Sequence, residues 1–176
     1  MNYYKPREDS YLLQKYVKKH AIGFVLDMGT GSGIQAITAS KNNEVEIVLA
    51  VDINNKALEI AKKNSENQKI EFKHSNLFSN IKQSFDTIIF NPPYLPTEEP
   101  VDIALDGGKE GYELIIRFLK QAGNHLNFKG KILLLFSSLT NKDRVDKAVK
   151  QNSFKAELLG KKKMHFEELY IYKLTK

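Results

Sequence analysis

Cysteine is absent from these 176 residues, which removes disulfides, thiolate zinc sites and cysteine redox chemistry. The four histidines, at 20, 74, 125 and 165, are scattered and form no ligand pair at helical spacing, so a histidine metal site has no support. No run of about 18 apolar residues exists, and Met1-Asn2-Tyr3-Tyr4-Lys5 carries no apolar signal core; a cytosolic chain is the expectation. Phosphate and hydrolase signatures are missing too. No Gly-Lys-Ser/Thr follows the glycine loop, and Ser137-Ser138 sits in no Gly-x-Ser-x-Gly elbow. Acidic residues fall short of basic ones, 21 against 27, for a net charge of +6. That balance permits a nucleic-acid or ribosome-associated partner without requiring one. The tight basic run Lys161–Lys163 reads as a solvated turn.

What is present alternates. Glu8 to Lys19 sets Leu12, Leu13, Tyr16 and Val17 at helical spacing, with Asp9 or Ser10 as cap. Strands are expected at Phe24–Leu26, Val45–Val51, Lys69–His74, Phe85–Phe90 and Lys131–Phe136, the last opened by Gly130. Helices are expected at Gly33–Ser40, Lys56–Glu66, Glu110–Leu126 and Lys142–Gln151. Two final strands, Phe154–Gly160 and Glu167–Leu174, have no helix between them and read as an antiparallel pair. The pattern predicts a single α/β domain over 1–176, doubly wound on a mostly parallel seven-stranded sheet. Residues 1–22 form an N-terminal helical segment expected to pack on the ligand site.

Ligands of such sheets bind beyond the carboxyl ends of the strands, where strand order reverses. The singular residues stand at those ends: Asp27 to Gly33, Asp52, Asn76, and Asn91 to Tyr94. The glycine spacing is Gly29-x-Gly31-x-Gly33. A dinucleotide fingerprint would need its third glycine at Ile34, so a pyrophosphate site fits poorly. What remains is a loop whose missing side chains let backbone approach a ligand closely. Asp52 is placed to accept hydrogen bonds from two ribose hydroxyls; the other reading is a turn or cap aspartate, since Asn54 and Asn55 also suit a helix start.

Asn91-Pro92-Pro93-Tyr94 carries the more particular chemistry. A planar NH2 nitrogen is a poor nucleophile because its lone pair is delocalised into the neighbouring π-system. Two acceptors gripping both N–H groups favour positive charge on that nitrogen and aim it. The Asn91 side-chain oxygen and the Pro92 carbonyl can supply the pair. Pro92 and Pro93 fix the backbone, and Tyr94 offers a face for a flat amide or base. The plain alternative is a Pro-Pro turn capped by Asn.

Together these motifs resemble the HemK/PrmC-type protein N5-glutamine methyltransferases, S-adenosylmethionine-dependent enzymes of class I with a Rossmann-like fold. The likeness is to the short archaeal and eukaryotic branch and runs from about Tyr4 onward. It rests on Tyr4-Lys5-Pro6-Arg7-Glu8-Asp9-Ser10, the glycine loop, Asn91-Pro92-Pro93-Tyr94-Leu95-Pro96 and Asp106-Gly107-Gly108-Lys109-Glu110-Gly111. The resemblance implies S-adenosylmethionine as cofactor, with Ser10, Asp27, Gly29, Gly31, Gly33, Asp52, Asn76, Leu77 and Asn91 around it. Asp27 would help hold its ammonium, and Asn76 and Leu77 would stand at the adenine. Asn76 replaces the usual Asp, which puts affinity in question; Arg7, often a small residue in the family, has no derivable role. Asn91, Pro92 and Tyr94 would act in catalysis, and Asn91 to Tyr94 would hold the substrate. The implied substrate is the glutamine of the Gly-Gly-Gln tip of a peptide chain release factor.

A nucleic-acid methyltransferase acting on adenine or guanine amines could use the same grip on a flipped base, but there is no room here for a target-recognition domain. A non-catalytic cofactor-binding scaffold would not need an amide grip. The strand Lys69 to His74 is expected at a sheet edge, with apolar surface near Ile70 and Phe72. The resemblance implies that a small zinc-binding activator subunit pairs with this strand, which a proline at Glu71 would block.

Overall fold

Strands that are apolar on both faces need cover on both, and this governs the architecture. The computed structural model describes residues 4–66, 68–94 and 108–176. In chain order the elements are α1 (Glu8–His20), β1 (Gly23–Met28), α2 (Ile34–Ser40), β2 (Val45–Asp52), α3 (Asn55–Asn64), β3 (Ile70–His74), β4 (Phe85–Phe90), α4 (Glu113–Ala122), β5 (Leu126–Ser137), α5 (Lys142–Gln151), β6 (Lys155–Lys163) and β7 (Glu168–Thr175). Leu95-Pro96 and Asp106-Gly107 of the motifs lie outside the described residues. The strands form one seven-stranded sheet in the order β3-β2-β1-β4-β5-β7-β6. Strands β1 to β5 pair in parallel, and β7 runs antiparallel between β5 and β6. This is the expected doubly wound sheet with its terminal antiparallel pair.

Alternate residues of β5 show how the two layers divide. Ile132, Leu134 and Phe136 pack with Ile115, Phe118 and Leu119 of α4 and Val145 and Val149 of α5. Leu133 and Leu135 face the other way, among Leu12, Leu13 and Val17 of α1 and Ala36 and Ala39 of α2. A polar link, Gln14 Nε2 donating to Thr38 Oγ1 at 2.9 Å, adds to the α1–α2 contact. Among the described residues no helix is long and apolar enough to cross a membrane.

Several local expectations are corrected. The Glu110–Leu126 helix is shorter at both ends. A turn at Gly108–Gly111, closed by the Gly111 N–H to Gly108 carbonyl bond, precedes it. A single 3-10 turn over Gly123–His125 ends it, and Leu126 already pairs with Phe85. The β4–β5 register then slips before Thr87 meets Lys131, and Lys129 takes a φ of 63° in the excursion. Lys161–Lys163 is no turn: it ends β6, where Lys161 pairs with Glu168 at 3.2 Å and Lys162 with Glu8. Neither Asp9 nor Ser10 caps α1. The cap position is Arg7, extended and without a side-chain cap bond.

Strand β3 is an edge, as expected, pairing only with β2 among the described residues. The apolar surface expected there is not open: Ile70 is buried and Phe72 partly so. The Val48 N–H bonds the Lys69 carbonyl and the Ser75 N–H bonds the Asp52 carbonyl. In a parallel ladder that phase turns the Glu71 and Lys73 backbone towards β2 and the Ile70 and Phe72 N–H groups outward. A proline at Glu71 would therefore damage the sheet itself before any docking edge.

Candidate active site

Strand order reverses between β1 and β4, and the chain leaves both strands into one crevice. After β1 the chain turns through three glycines with positive φ. Gly31, at φ 55°, donates its N–H to Asp52 Oδ2 at 2.9 Å. Asp52 Oδ1 accepts the Asn54 N–H at 2.8 Å, and Asn54 in turn caps α3 by accepting the Lys56 N–H at 3.0 Å. Asp52 is thus a turn aspartate by its bonds while lining the crevice, and its buried carboxyl is pushed up from the usual range by desolvation. Gly33, at φ 85°, lies where an added Cβ would come 3.1 Å from Ala61 Cβ. Its place is a packing one, against α3.

Asp27 is buried beneath the loop. Its Oδ2 accepts the Thr30 hydroxyl at 2.6 Å and the Ala36 N–H at 3.0 Å. Burial pushes the carboxyl up to about 7, with those two bonds pulling down and the Asp52 charge adding to the rise. Gln35, in the first turn of α2, donates Nε2 to the Ser10 carbonyl at 2.8 Å. Its Oε1 is buried with no hydrogen-bond partner among the described residues.

At the end of β4, Asn91 donates Nδ2 to Asp9 Oδ2 at 3.1 Å. The other Asp9 oxygen accepts the Tyr4 hydroxyl at 2.8 Å and lies 3.3 Å from Ser10 Oγ. Asn91 Oδ1 is buried and has no partner among the described residues. Such an acceptor costs about 1–3 kcal/mol in desolvation unless a ligand completes it. Tyr94 is partly buried beside it, and its hydroxyl is pushed far up by burial and by Asp9 and Glu167. The Tyr4 hydroxyl is raised by burial and Asp9 in the same way. Neither phenol can give up its proton near neutral pH.

These groups line one cleft of about 680 Å³, a size that suits a small molecule plus a side chain. It gathers Ser10, Asp27, Gly29, Gly31, Asp52, Asn91, Pro92, Pro93 and Tyr94 from four elements distant in sequence. It does not gather Gly33, Asn76 or Leu77. Leu77 packs its side chain into the layer under α4, while Asn76 is exposed beside it. Gln35 and Asp9 are among the wall residues that went unread in the sequence. Gln35 had no signal beyond its place after the glycine loop, and Asp9 looked like a helix cap because its distant partner Asn91 cannot be seen in a local window. Tyr4, Arg7 and Glu8 at the start of α1 also line the cleft, as do Met164, Glu167 and Leu169 of the adjoining β6–β7 hairpin.

Residues 7–165 match the family described as the methyltransferase small domain. A Methanocaldococcus jannaschii protein, provisionally named a protein N5-glutamine methyltransferase, is 40% identical over 176 aligned residues, covering 96% of this chain and 89% of that one. The release factor glutamine methyltransferase of Streptococcus pneumoniae is 33% identical over 62% of this chain, which spans only 44% of its length. Among solved structures, a chain of the E. cuniculi Mtq2–Trm112 complex, responsible for methylation of the eRF1 translation termination factor, superposes with a TM-score of 0.81. It is 28% identical and covers 100% of this chain and 99% of the other.

Proposed function

The chain belongs to the methyltransferase small domain family, and from that footing we propose that it methylates the side-chain amide of a glutamine, the Gly-Gly-Gln glutamine of a peptide chain release factor. The observation that carries this reading is Asn91 Oδ1, a buried acceptor left open at the end of β4. A primary amide entering the cleft offers two N–H donors. Asn91 Oδ1 accepts one and the Pro92 carbonyl the other, so the nitrogen is held with its developing positive charge against two oxygens. Tyr94 stacks on the amide plane and excludes water. Both phenols near the site hold their protons, so alignment and electrostatics do the work and solvent takes the proton from the product amide.

The donor set fits S-adenosylmethionine as cofactor. Asp27 and Gln35 Oε1 offer acceptors for an ammonium, Gly29 and Gly31 allow close backbone approach, and Asp52 can accept from ribose hydroxyls. Ser10 closes the same wall. When bound, the cofactor's sulfonium supplies an activated methyl group. Asn76 and Leu77 would reach the adenine only at the outer end of the crevice, beyond the lining described. The cytoplasm, where translation factors work, is the proposed setting.

The E. cuniculi relative is solved as a two-protein complex, and a small zinc-binding activator subunit is the partner proposed for this chain. Its docking strand would add to β3, whose outward Ile70 and Phe72 N–H groups await a partner strand.

The test offers labelled cofactor with a purified release factor, RNA and DNA, with and without co-expressed activator, and locates label by mass spectrometry. Label on the Gly-Gly-Gln glutamine is expected. Asn91→Ala should lower kcat by about 100- to 1000-fold while the protein stays folded. Wild-type turnover by Asn91→Ala, or label on nucleic acid alone, would overturn the reading.

A further inference from the structure

An asparagine side chain presents an oxygen or an NH2 with equal ease. The two ends are nearly the same shape, and only their hydrogen-bond partners choose between them. Turned the wrong way, Asn91 would offer a donor to a substrate amide that itself donates, and the grip would become a repulsion.

Resting on the amide-grip reading, we propose that Asp9 is a positioning residue that fixes the rotamer of Asn91 and so makes the cleft select an NH2 donor. A carboxylate has acceptors only. Its Oδ2 lies 3.1 Å from Asn91 Nδ2, so the amide must turn its nitrogen to Asp9 and its oxygen to the open side. The oxygen so directed is the buried one that no described residue satisfies. Asp9 is itself nearly inaccessible at 4% exposure. Its other oxygen is fixed by the Tyr4 hydroxyl at 2.8 Å and approached by Ser10 Oγ at 3.3 Å. The carboxylate therefore cannot swing away. Asp9 does not cap α1, whose cap position is Arg7, so a helix-capping role does not account for it. A buried carboxylate with its oxygens shared among Tyr4, Ser10 and Asn91 joins the first turn of α1 to the end of β4.

The experiment is a double-mutant cycle on the full chain with its proposed activator, using a release factor or a Gly-Gly-Gln peptide. Asp9→Asn keeps volume and one acceptor but adds a donor that can satisfy Asn91 Oδ1, so both amide orientations become populated. Asp9→Asn is expected to lower kcat about tenfold or more and to weaken peptide binding measured by calorimetry, with affinity for the demethylated cofactor product within about twofold. In an Asn91→Ala background, adding Asp9→Asn should change turnover by less than about twofold, because no orientation is left to choose. Tyr4→Phe, which frees one Asp9 oxygen, should give a smaller loss that also vanishes in that background. Fully additive losses, or a silent Asp9→Asn, would overturn the assignment while leaving the grip standing. Unchanged turnover by Asn91→Ala alone would instead sink the grip reading beneath it.

Discussion

Asp27 offers the sharpest perturbation, because its carboxyl can be titrated without moving anything else. Its Oδ2 is held by Thr30 and Ala36, yet burial pushes the group up to about 7, into the range where a carboxyl exchanges its proton near neutral pH. If a cofactor ammonium docks beside it, the cation stabilises the carboxylate and binding expels that proton. Affinity should then level off above about pH 8 and fall by about tenfold per pH unit below about pH 6. The proton is released on binding, so the calorimetric heat at pH 7 should change with the buffer's ionisation enthalpy. The titration is run with the demethylated cofactor product, and Asp27→Asn serves as the reference, since the ligand's own amine titrates equally against both proteins. The free protein should show the opposite sign. A carboxyl raised from 3.8 to about 7 contributes stability that is fully present below about pH 4 and lost as pH climbs through 7. That rise corresponds to about 4 kcal/mol as an upper bound, so ligand-free Asp27→Asn should resist urea better than the parent at pH 8. Identical pH slopes for parent and variant would refute the ammonium assignment, whatever the stabilities do.

Asp52→Ala should weaken binding of S-adenosylmethionine by roughly 1–3 kcal/mol if ribose bonds are lost, with denaturation of the free protein measuring separately the loss of the Gly31 and Asn54 contacts; equal affinity would remove the ribose role. Hydrogen exchange should find the Ile70 and Phe72 amides fast in the isolated chain and protected with the activator bound, while Glu71 and Lys73 are slow in both. Protection elsewhere, with β3 unchanged, would place the partner on another surface.

The order of strands and helices was legible because each strand is a short apolar run and each helix a stripe at a period near 3.6, both local properties of the chain. The strand-end position of the Gly29 loop, Asp52 and Asn91-Pro92-Pro93-Tyr94 was legible for the same reason, and so was their convergence at the switch point, which strand order alone implies. Boundaries were less so. Gly130 looked like a strand start because a glycine in an apolar pattern suggests a break, whereas the chain absorbs it as a register slip between β4 and β5. Lys161–Lys163 looked like a turn because a charge run lacks alternation, yet β7 recruits it as an outer strand.

What only the tertiary structure decided is which atoms meet. Asp9 and Asn91 stand 82 residues apart and share a hydrogen bond, and no window of sequence holds both. Leu77 turns into the core because the layer under α4 is apolar there. The sequence by itself determined the layers and the ends at which chemistry collects, since those follow from periodicity. The orientation of a single amide oxygen depends on one carboxylate brought across the sheet, and long-range contact of that kind exists only once the chain has folded.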